Sequence, residues 1–180
     1  MSSAAEEFLA ARGAARIPHP GGTLLAHLRR VSARLAAWGA DPDVQLAGLC
    51  HAAYGTDGFD RSLLDVTERP LLAELIGDRA EALVYLYASC DRAAVYPRLG
   101  PRGPVLFRDR FTGREHTPAE TGLRAFLTIT AANELDVLAH NSELAARHGA
   151  GLYRLFARAR PLLPAPAWTA CAEQLSPPAP

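Results

Sequence analysis

The fold of this chain is decided by residues 41–55, which read DPDVQLAGLCHAAYG. Asp41 followed by Pro42 is typical of a helix N-terminus, because the aspartate accepts from free amide groups and proline fits the first turn. The predicted helix is apolar nearly all round and Gly55 ends it, so we expect it to lie at the centre of the fold. Gly48 would permit a close approach by a neighbouring helix.

Most of the remaining chain shows the same preference for helix. Alanine is abundant, β-branched and aromatic residues are scarce, and apolar positions recur at intervals of three and four. Helices are predicted over residues 23–39 and, as the longest of all, over residues 117–149, which open with the capping sequence TPAE. Alternating apolar and polar residues predict a small β-hairpin or flap near residues 104–116.

These elements predict an all-α fold made of one helical bundle with a small β-hairpin insertion. A chain of 180 residues can bury a full core without a metal or disulfide staple. We assign residues 1–17 to an N-terminal helix and linker, residues 18–175 to the helical domain and residues 176–180 to a disordered tail.

Charge and residue usage exclude several classes of function. Nineteen acidic and nineteen basic residues leave no net charge, which argues against a nucleic-acid partner. All nineteen basic residues are arginine, so chemistry that needs a lysine, such as Schiff-base formation, is excluded. Cys50, Cys90 and Cys171 lack the C-x-x-C spacing and indicate reduced thiols. With neither a signal peptide nor a membrane span in the sequence, we expect a cytoplasmic protein with no membrane partner.

Two histidines fall on the inward faces of neighbouring predicted helices. In the central helix, His51 and Tyr54 continue the stripe of Val44 and Ala47, because steps of three and four residues stay on one helix face. His27 lies beside the apolar stripe of the preceding helix and can therefore face His51.

The longest predicted helix carries polar residues where apolar ones are expected. Thr130, Asn133 and Glu134 interrupt its inward stripes, whereas Asp136 aligns with Ala132 and is expected to lie outside. A single buried histidine is more often a hydrogen-bonded core residue than a catalyst. Burying this many polar groups together costs roughly several kcal/mol unless they satisfy one another or a guest. The combination predicts a functional polar pocket.

Further polar residues are candidates for contacts with a substrate in this pocket. His19 stands in a proline- and glycine-rich loop before the second helix and could fold back over it. The substrate-binding candidates are His19, Thr23, Asp91, Arg92 and Thr130.

The spacing of the two histidines resembles the HD-domain superfamily of all-helical phosphohydrolases, and most closely the bifunctional alarmone hydrolases. His27 is followed by His51 in LAGLCHAAYGT, residues 46–56, and the late helix carries TAANEL, residues 130–135. In that superfamily a histidine, a His-Asp pair and a late aspartate hold one divalent metal. The chain departs from this pattern, because Ala52 and Asn133 stand at the two aspartate positions. It is also similar to uncharacterised HD-like proteins with a His-Ser/Ala-x-Tyr-Gly-Thr segment.

The first functional hypothesis is a small-molecule enzyme of the isomerase, lyase or cyclase type that acts in a biosynthetic pathway. His27 and His51 would act as general acid and base, because imidazole titrates at about pH 6.5. Tyr54 and Asn133 would orient a carbonyl or hydroxyl group, and Glu134 would set the charge of an imidazole. The expected partner is a small-molecule substrate, and a homodimer is possible.

Two alternatives stay open. The first is a metal-dependent hydrolase or oxygenase, in which His27, His51 and either His19 or Glu134 hold one Zn²⁺ or Fe²⁺ ion; the cofactor is therefore either none or a single divalent metal. The second is a decayed HD module that binds a ligand or a partner without turnover. Its contact surface would be the hairpin region, where arginines could recognise a carboxylate or phosphate. These are Arg98, Arg102, Arg108, Arg110 and Arg114.

Overall fold

The computed structural model describes residues 2–59, 61–100 and 103–176, most of which lie in helices. The α-helices are α1 Ser2–Ala11, α2 Leu24–Ala37, α3 Pro42–Cys50, α4 Arg69–Ile76, α5 Asp78–Ala88, α6 Arg92–Val95, α7 Glu120–Ala139, α8 Ser142–Ala159 and α9 Ala165–Leu175. Short 3-10 helices cover Ala14–Arg16, Val66–Glu68, Tyr96–Arg98 and Arg160–Leu162.

Two small antiparallel sheets accompany the helices. Strand β1, Pro18–His19, pairs with β2, Gly22–Thr23, and strand β3, Phe107–Arg108, pairs with β4, Glu115–His116. The prediction of a mostly helical chain with a small hairpin near residues 104–116 is confirmed at this level. The β1–β2 hairpin was expected only as a loop.

Helix α3 lies at the centre of the fold, as its sequence predicts. It packs against α1, α2, α5 and α7, and six of its nine residues are buried. A Cβ atom at Gly48 would overlap the buried Leu35 side chain of α2, so the glycine permits the close approach of these two helices.

Helix α3 is shorter than predicted. It ends at Cys50, His51 takes the C-cap position, and residues 51–54 form turns. The carbonyl oxygen of Ala53 accepts hydrogen bonds from the backbone of Leu63 and Leu64. This pairing with a later segment removes the chain from the helix before Gly55, where a φ of 68° completes the turn.

The longest predicted helix is in fact two helices. Helix α7 ends at Ala139, and α8 begins at Ser142. Asn141 is the N-cap of α8, and its side chain accepts a hydrogen bond from the Leu144 amide at 3.0 Å. Asparagine favours such a cap because its side chain replaces the missing helical partner of the amide. The break turns α8 back to pack against both α7 and α9.

The structure describes the predicted N-terminal helix and linker except Met1, but little of the predicted C-terminal tail. Ala5 and Leu9 of α1 are fully buried in the core. Of the predicted tail 176–180, only Ser176 lies within the described residues. Within the described ranges, no helix combines the length and the hydropathy needed to cross a membrane. Cys50, Cys90 and Cys171 are all free and buried.

The contact between α2 and α3 gives a test of the packing. We expect Gly48→Ala to lower the free energy of unfolding by about 1–3 kcal/mol, because the added methyl group overpacks the buried Leu35 side chain. A Cβ atom at Gly149 would meet nothing within 4 Å, so Gly149→Ala should instead raise the free energy of unfolding by about 0.5–1 kcal/mol. Urea denaturation measures both.

A double-variant cycle identifies the cause of the loss. Combining Gly48→Ala with Leu35→Val should cost less than the sum of the two single changes, because valine vacates the overlapping position. Strict additivity of the two changes would contradict the proposed overlap.

Candidate functional site

A cavity of about 1140 Å³ opens between α2, α7 and α8. The turns after α3, helix α6 and the β1–β2 hairpin complete its wall. Of the residues that the sequence singles out, the cavity is lined by His19, His27, His51, Arg92, Asn133 and Glu134. The central expectation of a shared polar pocket for two histidines, an amide and a carboxylate therefore agrees with the geometry.

Tyr54 does not line this cavity among the described residues, in contrast to the sequence-based expectation. Because α3 ends at Cys50, the helical register that would align Tyr54 with His51 does not extend that far. The Tyr54 hydroxyl instead donates to Glu81 at 3.0 Å, and Glu81 also accepts two hydrogen bonds from Arg69. This buried cluster joins the turn after α3 to α4 and α5.

Three other candidates also have local structural roles rather than positions in the cavity wall. Thr23 caps α2 by accepting from the Ala26 amide at 3.2 Å. Asp91 caps α6 in the same way. The Thr130 hydroxyl is fully buried and donates back to the Phe126 carbonyl at 2.7 Å, a bond available to any threonine inside a helix.

The ring of His27 is held on both sides by oxygen atoms. Its Nδ1 lies 2.6 Å from Oδ2 of Asp136, and its Nε2 lies 3.0 Å from Oδ1 of Asn133. The Asn133 amide nitrogen donates to Glu134 at 3.3 Å, which fixes the amide with its oxygen toward His27. Because both neighbours of the ring are acceptors, this geometry suits the imidazolium form, in which both nitrogens donate.

Asp136 lies inside the protein, and the expectation that it faces outward is wrong. Its side chain is 1% exposed and also accepts two hydrogen bonds from Arg30, at 2.8 and 2.9 Å. Burial alone would raise the pKa of Asp136, but hydrogen bonds from His27 and Arg30 hold this pKa far below its ordinary value. The sequence carried a signal, because Ile129 and Ala132 precede Asp136 on one helix face.

The ring of His51 has a hydrogen bond to the protein on one nitrogen, whereas that of His27 has one on each. In His51, Nδ1 donates to the carbonyl of Gly48 at 2.7 Å, and Nε2 has no hydrogen bond to any described residue. Burial, together with the positive charge of His27, lowers the pKa of His51 to about 3. At neutral pH the ring therefore carries a lone pair on Nε2.

His19 adds a third imidazole to the site. Its ring stacks on that of His27 with centroids 4.0 Å apart, and the His51 ring lies edge-on to His27 at 5.3 Å. Burial and the charge of His27 lower the pKa of His19 to about 4. The site thus places two imidazoles that are neutral at neutral pH around the ring of His27.

These side chains do not fit a metal centre. Both nitrogens of His27 already face oxygen atoms, and Ala52 and Asn133 supply no carboxylate where the HD pattern would. Among the described residues, no group of three or more histidine, cysteine, aspartate or glutamate side chains is placed to hold a metal ion. The metal set of His27, His51 and His19 is thus not supported.

The arginines of the β3–β4 hairpin do not reach the cavity. The described lining of the cavity contains no residue from 105 to 114. Arg98 donates to Glu115 at 2.7 Å, Arg110 donates to the carbonyl of Ala88 at 2.6 Å, and Arg108 lies 3.6 Å from Asp91. These contacts fasten the hairpin to the body of the protein; Arg102 lies outside the described residues.

Comparisons with known proteins give one match. Residues 8–92 match the model of a protein family described as a domain of unknown function, DUF6817. The matched segment includes His19, His27 and His51, but not α7 or α8. No curated protein matches the chain, and no solved structure matches it.

Removal of the Asp136 charge should be costly. We expect Asp136→Asn to lower the free energy of unfolding by about 3 kcal/mol or more, because it takes a buried carboxylate away from the buried His27 ring and the half-buried Arg30 guanidinium group. The matched change Asp43→Asn removes a carboxylate from a pair with the exposed Arg79 and should cost less than about 1 kcal/mol. Equal losses in urea denaturation would contradict this account.

The protonation of His51 predicts a pH dependence of stability. Its pKa is about 3 in the folded protein against an ordinary value of 6.5, so the unfolded chain binds the extra proton between these two values. The free energy of unfolding should therefore fall as pH drops below 6.5, with a contribution from His51 of about 1.4 kcal/mol per pH unit. His51→Gln should flatten the decline in denaturation curves measured from pH 7 to pH 4. Identical slopes in both proteins would refute the prediction.

Proposed function

We propose that this cavity is the active site of an enzyme with an HD-like helical bundle, and that its imidazoles exchange protons with a small organic substrate. The observation that carries the proposal is the state of His51. Its Nδ1 proton is fixed on the Gly48 carbonyl, so the lone pair of Nε2 is the group left to accept a proton from a substrate.

The surroundings of His51 suit a base that works only on a bound substrate. Its pKa is lowered by burial and by the positive charge of His27. A substrate that acquires negative charge beside these rings would offset the effect of His27 and raise the pKa of His51 toward the working pH. The base would thus become stronger as the reaction needs it.

The charged groups of the site can stabilise the anion that proton removal leaves behind. Arg92 lines the cavity and donates to Glu134 at 3.1 Å, which fixes the direction of its guanidinium group. Arg92 and the imidazolium of His27 would both favour a developing enolate or alkoxide. Glu134 thus has a different role from the one expected from sequence, because Asp136 sets the charge of the imidazole.

The proposed step moves one proton and no metal is needed for it. A substrate C–H or O–H bond breaks, its proton passes to Nε2 of His51, and the electron pair stays on the substrate. Return of the proton to another atom completes an isomerisation, and departure of a leaving group completes an elimination. These are the isomerase and lyase classes that the sequence favours.

The arrangement of the site supports the relation to HD domains. His27 lies on α2, His51 follows the end of α3 and Asn133 lies on α7, in the chain order of the HD motif that the sequence resembles. The substitutions Ala52 and Asn133 are consistent with a bundle that has kept the cavity and replaced metal chemistry by proton transfer.

Proton exchange provides the test. In D₂O, the wild-type protein should catalyse the loss of α-proton NMR signals from members of a panel of small ketones and keto acids, and His51→Gln should reduce this rate at least a hundredfold. Tyr54→Phe is the matched control, because Tyr54 lies in the Glu81 cluster and the exchange should persist. Equal rates in wild type and His51→Gln would refute the catalytic role. Binding of a panel member without any exchange would favour a module that binds without turnover.

A further inference from the structure

We infer that the substrate is an organic anion, with a carboxylate or phosphate group held by arginines of α8 and an apolar body that extends toward the imidazoles. This inference rests on the proposed function for the role of the imidazoles, but its binding component stands on separate observations. The first is the charge of the cavity wall, where four arginines and two carboxylates are found among the described residues, in a chain with no net charge.

The two carboxylates of the described cavity wall both contact Arg92. Asp57 accepts from the backbone amide of Arg92 at 2.8 Å, and Glu134 accepts from its guanidinium group at 3.1 Å. The contact with Glu134 pairs two opposite charges, so in the described wall the charge of Asp57 stands against the three arginines that α8 contributes. An excess of positive side chains along one wall of a cavity attracts a ligand anion.

Three arginines of α8 lie along one side of the helix. Arg147, Arg154 and Arg158 are separated by seven and four residues and all line the cavity. Among the described residues, Arg158 donates to the backbone carbonyls of Leu99 and Tyr96, which do not neutralise its charge.

The remaining two arginines of α8 are available to a ligand. Arg147 pairs with Glu143, but both side chains are well exposed, so this pair is weak and readily exchanged. Arg154 has no ion pair with any carboxylate in the described part of the chain. Two exposed guanidinium groups that line the cavity could thus converge on one anionic group, which guanidinium binds with two parallel hydrogen bonds.

Gly151, on the same helix as these arginines, has open space beside its backbone. It lies inside α8 and lines the cavity, and a Cβ atom at this position would meet nothing within 4 Å. Glycine weakens a helix relative to alanine, and no packing contact within the described residues requires it here. A close approach of ligand atoms to the helix backbone would account for it.

The rest of the wall indicates the shape of the ligand. The cavity is also lined by apolar side chains, which include Leu24, Phe59, Val137, Leu152 and Leu155. A purely ionic ligand would gain nothing from these groups. An anion with an apolar body would bury them and would bring its far end to His51.

Isothermal titration calorimetry with three probes tests the inference. Benzoate and phenyl phosphate should bind the wild-type protein, and benzamide, which has the shape of benzoate without its charge, should bind at least tenfold more weakly. Arg154→Gln should weaken benzoate binding about tenfold, the loss expected for one charge-assisted contact of about 1.4 kcal/mol. Arg114→Gln removes the same charge from an exposed position on the hairpin and should leave the affinity unchanged.

The glycine gives a second, independent arm. Gly151→Ala should weaken benzoate binding without unfolding the protein, whereas Gly149→Ala, on the same helix but facing a separate small cavity, should leave binding unchanged. Equal affinity for benzoate and benzamide would overturn the inference, as would an equal loss in Arg154→Gln and Arg114→Gln.

Calorimetry and the proton-exchange assay together distinguish the anion site from the proposed catalysis. Charge-selective binding that depends on Arg154 but is unaccompanied by proton exchange would support the anion site and refute catalysis. Proton exchange that depends on His51 with equal turnover of neutral and anionic compounds would support catalysis and refute the anion site.

Discussion

The buried ion pair between His27 and Asp136 is the interaction on which the rest of the site depends. It joins α2 to α7 at 2.6 Å, and Arg30 supplies the second cation that this carboxylate needs. Arg30 also donates to the carbonyls of Pro20 and Gly21, so the same cluster holds the hairpin that carries His19. One carboxylate thus fixes the spacing of two helices and the position of a third imidazole.

This ion pair also sets the electrostatics of the cavity. Burial, and after it the proximity of His27, lower the pKa values of His51 and His19, so both rings are neutral at neutral pH. The arginines of α8 add to the same positive potential. The proposed proton transfer at His51 and the proposed recognition of an anion at α8 would therefore both depend on this positive potential.

Much of the site could be predicted from helix periodicity, and the failures have definite physical causes. His27, His51 and Asn133 converge because steps of three and four residues identify the inward face of a helix wherever the helix is continuous. Tyr54 was misplaced because α3 ends four residues earlier, where a long-range pairing to Leu63 and Leu64 outweighs local preference. Asp136 was misplaced because α7 is buried on several faces, and its partner Arg30 lies 106 residues away.

Gly48 links the interior of the protein to its chemistry. Its missing side chain admits Leu35 of the neighbouring helix, and its carbonyl oxygen holds the Nδ1 proton of His51. A shift of the backbone at this residue would alter the tautomer of the base as well as the fit of the core. Stability and the proposed reactivity of His51 would thus both depend on Gly48. Substitutions meant to raise the thermal stability of this protein are better made at glycines remote from the imidazoles.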